Sequence, residues 1–362
     1  MNKEPFLQVS KRRNKASWQE RLLIRFIALI LALVVCGAVI VALVKMNPVD
    51  VYKAICDGAI GSERRLWQTI RDTMVLLCIS IGLAPAFKMK FWNIGAEGQI
   101  TMGALGASWV ALNLSPNLPQ PVMLLLMMIG AAVCGGIWAF IPAIFKAKLG
   151  TNETIFTLMM NYVAIKFVTY LQYGPWMDPA ANGFPKIAMF PDNAVLPKLG
   201  GVNIGWILAI LAAAFVYFFM NYTKKGYEIT VVGESIETAR YAGMNISRII
   251  VVAMLISGGL CGITGMIQAS AIEKTLVYGI ANGYGFTAII TAWLSKLNAG
   301  YAVAVCAVFA MLIQGGQYIQ IALGVPSAVS DIVQGLILFF VLGSEFFMRY
   351  RVHIGRNSKE VA

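Results

Sequence analysis

The sequence predicts an all-α integral membrane protein with about ten transmembrane helices. Three observations carry that prediction. Of 362 residues, 59% are hydrophobic and only 13% charged, with a mean hydropathy of +0.72, a composition foreign to soluble globular chains. Uncharged apolar runs long enough to cross a bilayer recur along the chain. The Lys- and Arg-rich segments all fall on one side when those runs are counted as alternating crossings. Thirteen prolines and 34 glycines suit membrane helices that bend and pack closely. A net charge of +12 is compatible with nucleic-acid binding, but its placement at the ends of apolar runs favours membrane topology, so no nucleic-acid partner is expected.

Residues 1–25 form a basic cytoplasmic arm bearing Lys3, Lys11, Arg12, Arg13, Lys15, Arg21 and Arg25, with Trp18 as an interface anchor. Phe26 to Val44 then cross the membrane. The run is too long for a signal peptide, and no small-residue cleavage site follows it. Asn47 to Arg71 mixes signs and is placed outside. Met74 to Phe87 returns, with a bend at Pro85, and Lys88 and Lys90 mark the cytoplasmic face. Phe91 to Ala111 crosses outward, Asn113 to Gln120 turns, and Pro121 to Phe145 crosses inward to Lys146 and Lys148. Thr151 or Asn152 then caps a helix over about 155–171, with Glu153 in its first turn and Asn161 and Lys166 inside it. Tyr173 to Gly201 is a polar outer segment broken by five prolines. Ile204 to Met220 crosses inward to a charged cytoplasmic loop, 223–248.

Ile249 to Ala271 crosses outward, with Gly258 and Gly262 at the GxxxG spacing of close helix contacts. Gly285 to Leu294 is too short to span and reads as a half-helix. Tyr301 to Ile313 and Val325 to Leu342 complete the membrane domain, 26–345, and 346–362 form a basic cytoplasmic tail. The stretch from Gly283 sits where a counterpart of the Asn93 segment would fall, a weak sign of an internal repeat with broken half-helices.

Enzyme chemistry finds little support. The chain has no GxxxxGK[ST] pattern, so it is not expected to bind ATP itself. Its one histidine, His353, lies in the basic tail, which leaves no triad. The six cysteines are scattered without a CxxC pair, and neither a disulfide nor a metal is expected.

Two constellations remain. The first is Asn93, Glu97 and Gln99, a carboxylate and two amides within an apolar, glycine-rich run. A charged side chain at the centre of a membrane helix costs about 3 kcal/mol. Either these groups line a translocation path or form a hinge, or Glu97 lies near the inner interface and pairs with a lysine for structure. The second is the loop Gly226 to Gly243. Ser235 can cap a short helix with Glu237 in its first turn, and Gly243 can stop it in a left-handed conformation. With Arg240 and Tyr241 offering basic and aromatic contacts, such a helix suits docking into a partner's groove. The alternative is an ordinary solvated loop.

The segments FWNIGAEGQ, TNETIFTLMMNYVA and GYEITVVGESIETARYAGMN occur in that order. Together they resemble the permease family of bacterial ABC importers for nucleosides and simple sugars, specifically the longer of two permeases in nucleoside importers. The resemblance covers nearly the whole membrane portion. It implies that Glu234, Ser235, Glu237, Ala239, Arg240, Tyr241 and Gly243 belong to a coupling helix that touches a separate ATPase. It implies that the Asn93–Gln99 stretch, Asn152 and Glu153 lie near the translocation path, to which Asn161 is added as a buried-amide candidate. It implies as partners an ATPase carrying the ATP, a second homologous permease and a substrate-binding lipoprotein, in a bacterial cytoplasmic membrane with both termini inside. Sugar-specific relatives carry an Asp-Leu-Ser-like segment where this chain has Asn-Ile-Gly-Ala-Glu-Gly-Gln, which tilts the substrate to nucleosides. An ion-gradient-driven transporter or channel is the competing class. It would need an ion site, commonly paired intramembrane carboxylates, and only Glu97 and Asp331 are available.

Overall fold

The computed structural model describes residues 7–11, 17–114 and 117–354. Among these, eight helices are long and apolar enough to cross a membrane. The chain is an all-α integral membrane protein, as expected, but the expected ten crossings do not follow from helix length and apolarity. Two segments account for the difference. The helix after the Asn93 stretch is too polar, and the half-helix after Gly283 is too short.

The chain divides into two compact units, Met1–Arg65 with Met311–Ala362, and Leu66–Ala310. In the first, strand β1 (Leu7–Lys11) leads to helix α1 (Trp18–Val44). The N-terminal arm is thus partly structured. Ser17 accepts from Glu20 N while Glu20 reaches back to Ser17 N, a reciprocal cap that starts the helix at Trp18. Helix α2 (Pro48–Ile60) is capped by Asn47, so the stretch assigned outside is largely helical. Helix α3 (Glu63–Lys88) begins in this unit and continues into the other. Ala32, Cys36 and Ile40 of α1 share a core with Val51, Ile319 and a valine stripe, Val329 and Val333, further along the chain. Arg65 pairs with Asp57 at 3.0 Å and lies over the Tyr318 ring.

The second unit is organised around helix α4 (Ala96–Asn113), about 27 Å long at 1.5 Å per residue. Fourteen of its residues are buried, so protein rather than lipid surrounds it, and polar side chains are tolerated there because they have protein partners. Helices α5 (Gln120–Leu149) and α6 (Glu153–Tyr173) follow, and α7 (Gly205–Tyr222) comes after the proline-broken segment. That segment holds two 3₁₀ turns and a minimal hairpin, β2 (Lys198–Leu199) with β3 (Val202–Asn203). The charged loop is mostly helical, as α8 (Lys224–Glu234) and α9 (Ile236–Tyr241). Helix α10 (Ile246–Ile267) runs on into a π-helical turn, Gln268–Glu273. The half-helix is α11 (Tyr284–Leu294), and α12 (Ala299–Leu323) leads back to the first unit. There α13 (Ser327–Arg349) and β4 (Tyr350–Ile354) end the described chain, with β4 antiparallel to β1.

Glycines bring α4, α5 and α10 together. The GxxxG pair of α10 does what its spacing suggests. Gly262 lies against the backbone of Ala131 and Gly135, and Gly258 against Gly135 and Ala139. On α4, Gly103 meets the backbone of Gly262. Small residues let membrane helices approach to backbone contact, where dispersion replaces the hydrophobic drive that lipid removes.

Candidate functional site

The chain leaves helix α3 at Lys88 and does not resume helix until Ala96. Inside a membrane this break exposes backbone groups that only protein can satisfy. The predicted polar residues satisfy them. Asn93 Oδ1 accepts from Gly95 N at 3.0 Å and from Gln99 Nε2 at 3.1 Å, while Asn93 Nδ2 donates to Gln99 Oε1 and to Ser257 Oγ of α10. Asn161 of α6 bridges the break. Its Oδ1 accepts from Gly98 N at 2.8 Å, and its Nδ2 donates to Ile94 O at 2.8 Å. Thr157, one turn earlier on α6, accepts from Ile94 N at 3.1 Å. Asn161 and Thr157 therefore cap α4 from a neighbouring helix, since the Gly95 N-cap has no side chain to do so.

Glu97 has a different partner from the lysine considered above. It is buried, and its two oxygens accept from Gly283 N at 2.7 Å and Gly285 N at 2.8 Å. These are the first amides of α11, so the carboxylate caps a helix start 186 residues away and complements its positive end. The two broken segments thus meet directly. At the far end of α11, Trp293 stacks on Trp92 at 5.0 Å between ring centroids and lies 5.6 Å from Phe87. The Tyr284 hydroxyl joins Asp72 and Arg71 of α3, themselves paired at 2.8 Å. Sequence reasoning missed these aromatic and ionic fasteners. Their signals were Trp92 beside Asn93 and the adjacent opposite charges of Arg71 and Asp72.

The path candidates do not form one group. Asn93, Glu97, Gln99 and Asn161 converge on the start of α4. Asn152 instead caps α6, accepting from Thr154 N at 3.0 Å and Ile155 N at 3.2 Å. Glu153 pairs with Lys146 at 2.7 Å and faces a cavity of about 330 Å³ whose lining includes Lys90, Glu234, Ser235 and Glu237. Glu153 therefore stands beside the α8–α9 loop.

That loop folds from local signals. Thr223 caps α8, Ser235 accepts from Thr238 N at 3.2 Å to cap α9, and Glu237 lies in the first turn. Gly243 adopts φ +69°, and Met244 N donates to Ala239 O at 3.0 Å, closing the helix in a left-handed stop. Ala239 requires a correction. It is fully buried in this chain's own core with Ala86, Met89, Phe91, Ile229 and Met254, so it offers no surface to a partner. The outward face carries Glu237 and Arg240, paired loosely at 3.6 Å, and Tyr241, 92% exposed. Among the described residues, no three His, Cys, Asp or Glu side chains come together as metal ligands.

The site is thus a multi-pass helical core whose broken segments cap one another. Comparison with known proteins gives its family. A family model described as "Branched-chain amino acid transport system / permease component" matches residues 66–342, and the chain belongs to that family. Over 89% of this chain, the glucose ABC transporter permease protein TsgB13 of Haloferax volcanii is 36% identical, with 87% of its own length covered. The guanosine ABC transporter permease protein NupP of Bacillus subtilis is 33% identical over 89% of this chain and 93% of its own length. The nucleoside ABC transporter permease protein NupB of Lactococcus lactis is 29% identical over 89% and 90%. Two of these organisms each contribute a second match, TsgC13 at 28% identity over 61% of this chain and 67% of its own length, and NupC at 24% over 62% and 72%. The chain is a permease subunit of an ABC importer, a transport component and not itself an enzyme.

Proposed function

We propose that this subunit moves nucleosides inward across a bacterial cytoplasmic membrane, with both termini and the α8–α9 loop in the cytoplasm. ATP is bound and hydrolysed on a separate ATPase, and this chain binds no cofactor. A second, homologous permease completes the path, and a substrate-binding lipoprotein delivers the solute. The relatives support the pairing, since two organisms carry two matching permeases each. The names of NupP and NupB support nucleosides; that of TsgB13, at the higher identity, supports glucose as the second reading. The assembled importer should take up labelled guanosine, and uptake should stop when the partner's ATP hydrolysis is abolished. Uptake of glucose alone would favour the second reading. Uptake that a protonophore stops, and that an inactive ATPase leaves intact, would return the protein to the gradient-driven class.

The observation that carries the coupling assignment is that α9 is anchored in this chain's core by buried Ala239 while Glu237, Arg240 and Tyr241 stand exposed. A short helix fastened to its own core on one side transmits force from whatever grips the other. Tyr241→Ala should leave thermal stability within about 0.5 kcal/mol of the parent, as surface changes usually do, yet lose most ATPase co-purification and uptake. Ala239→Trp should act oppositely, overpacking the chain's own core at a cost of about 1–3 kcal/mol. A Tyr241→Ala protein that keeps its ATPase and its uptake would remove α9 from the coupling role.

A further inference from the structure

The amides and carboxylate at the start of α4 are buried and engaged with backbone, so a passing solute must meet other groups. Helix α6 turns one stripe inward, Thr157, Asn161, Ala164 and Val168. On its opposite side Ile155, Met159, Tyr162, Lys166, Tyr170 and Tyr173 recur at spacings of three and four and are exposed, flanked by exposed Val163 and Phe167, which places the polar and aromatic groups on one mixed face. Neighbouring α5 supplies the contrast. Its exposed stripe is Leu125, Ile129, Val133 and Ile137, purely aliphatic, as a lipid-facing surface requires. Among the described residues of Leu66–Ala310, Lys166 is the one charged side chain that is exposed on a candidate membrane span away from its end turns. Intramembrane charges turn from lipid toward water-filled cavities or partner groups. Three tyrosines beside it present flat amphipathic rings with a hydrogen-bonding tip.

We propose that this face of α6 lines the water-filled conduit, opposite the second permease, and that it handles the nucleoside in transit. The tyrosine rings stack on the base, and the Lys166 ammonium donates hydrogen bonds to base carbonyl or ribose oxygens. The assignment of the solute rests on the nucleoside reading above; the assignment of the face rests on exposure and polarity alone.

Single cysteines in the assembled importer test both. The background replaces exposed Cys56 and half-buried Cys134. Met159→Cys, Tyr162→Cys and Tyr170→Cys should react with a positively charged methanethiosulfonate at least ~10-fold faster than Leu125→Cys and Ile129→Cys, because only a hydrated thiol ionises to the reactive thiolate. Guanosine with ATP and the binding protein should slow the α6 reactions, and glucose should not. Equal, slow labelling of both helices would make the α6 face a lipid surface and overturn the proposal. Fast labelling that no solute slows, in an importer that takes up guanosine, would overturn the conduit and leave the transport reading intact. Fast labelling slowed by glucose would keep the conduit and overturn the nucleoside. As a separate check, Lys166→Met should cut uptake about 10-fold with the complex still assembled, and Lys166→Arg should restore most of it, as a hydrated cation in the path requires. Wild-type uptake by Lys166→Met would show a lysine that only reaches for the membrane surface.

Discussion

Gly262→Ala should fail to accumulate as a folded membrane protein, whereas Gly259→Ala, three residues earlier on α10, should fold at least as well as the parent. A methyl added at Gly262 would fall on the Ala131 carbonyl, within 3.2 Å of Gly135 Cα. Both neighbours are backbone on another helix, and Gly103 of α4 presses on Gly262 from a second side. No rotamer change can make room, so α10 must move away from α4 and α5. Overpacking of this kind costs typically 1–3 kcal/mol, and here two contacts open together. Separation also draws Ser257 from Asn93, to which it is bonded at 3.2 Å, and uncovers the polar network beneath. At Gly259 the nearest atom is the Ala132 carbonyl at 3.5 Å, an ordinary contact. There alanine gains about 1 kcal/mol of helix propensity over glycine. Fluorescence-detected size exclusion and thermal unfolding in detergent would compare the pair. Equal behaviour would mean that the three helices are not packed to backbone contact.

Glu97→Ala should be strongly destabilising. It removes the acceptor of the buried Gly285 N and the part-buried Gly283 N. A buried donor left without a partner costs about 1–3 kcal/mol and a partly exposed one less, so the loss is on the order of 3 kcal/mol, enough to threaten the fold. Glu97→Gln keeps one acceptor oxygen and presents an NH₂ where the second stood, so about half the loss is expected. The consequence should be local at first: α11 comes loose from α4 while α5 and α10 hold. Hydrogen exchange should therefore rise at the Gly283 and Gly285 amides before the rest of the unit. A Glu97→Ala protein with parental stability and lost uptake would instead place the carboxylate in the solute's path.

These effects mark where sequence reasoning reaches and where it stops. The chain by itself determined what depends on composition and on neighbours within one helical turn. The membrane class follows from the apolar runs. The caps at Asn152 and Ser235 follow from side chains bonding to amides two or three residues away, the stop at Gly243 from glycine's freedom at positive φ, and the half-helix near Gly285 from an apolar run too short to span. Tertiary structure decided everything that depends on which surface meets which. Glu97 carries no local sign that its partners lie 186 and 188 residues on, and a lysine nearer in sequence was an equally good candidate. Ala239 is small, a property that suits a tight partner groove and a tight internal contact equally, and only the packing of α9 on Ala86 and Met254 chose between them. The family resemblance puts Glu153 near the path with the buried amides, yet a helix turns each successive side chain by about 100°, and its pairing with Lys146 holds it beside the loop instead. Local hydrogen bonds are written in adjacent residues. A buried charge far from water is stable only with a specific partner, and only the folded chain brings that partner to it.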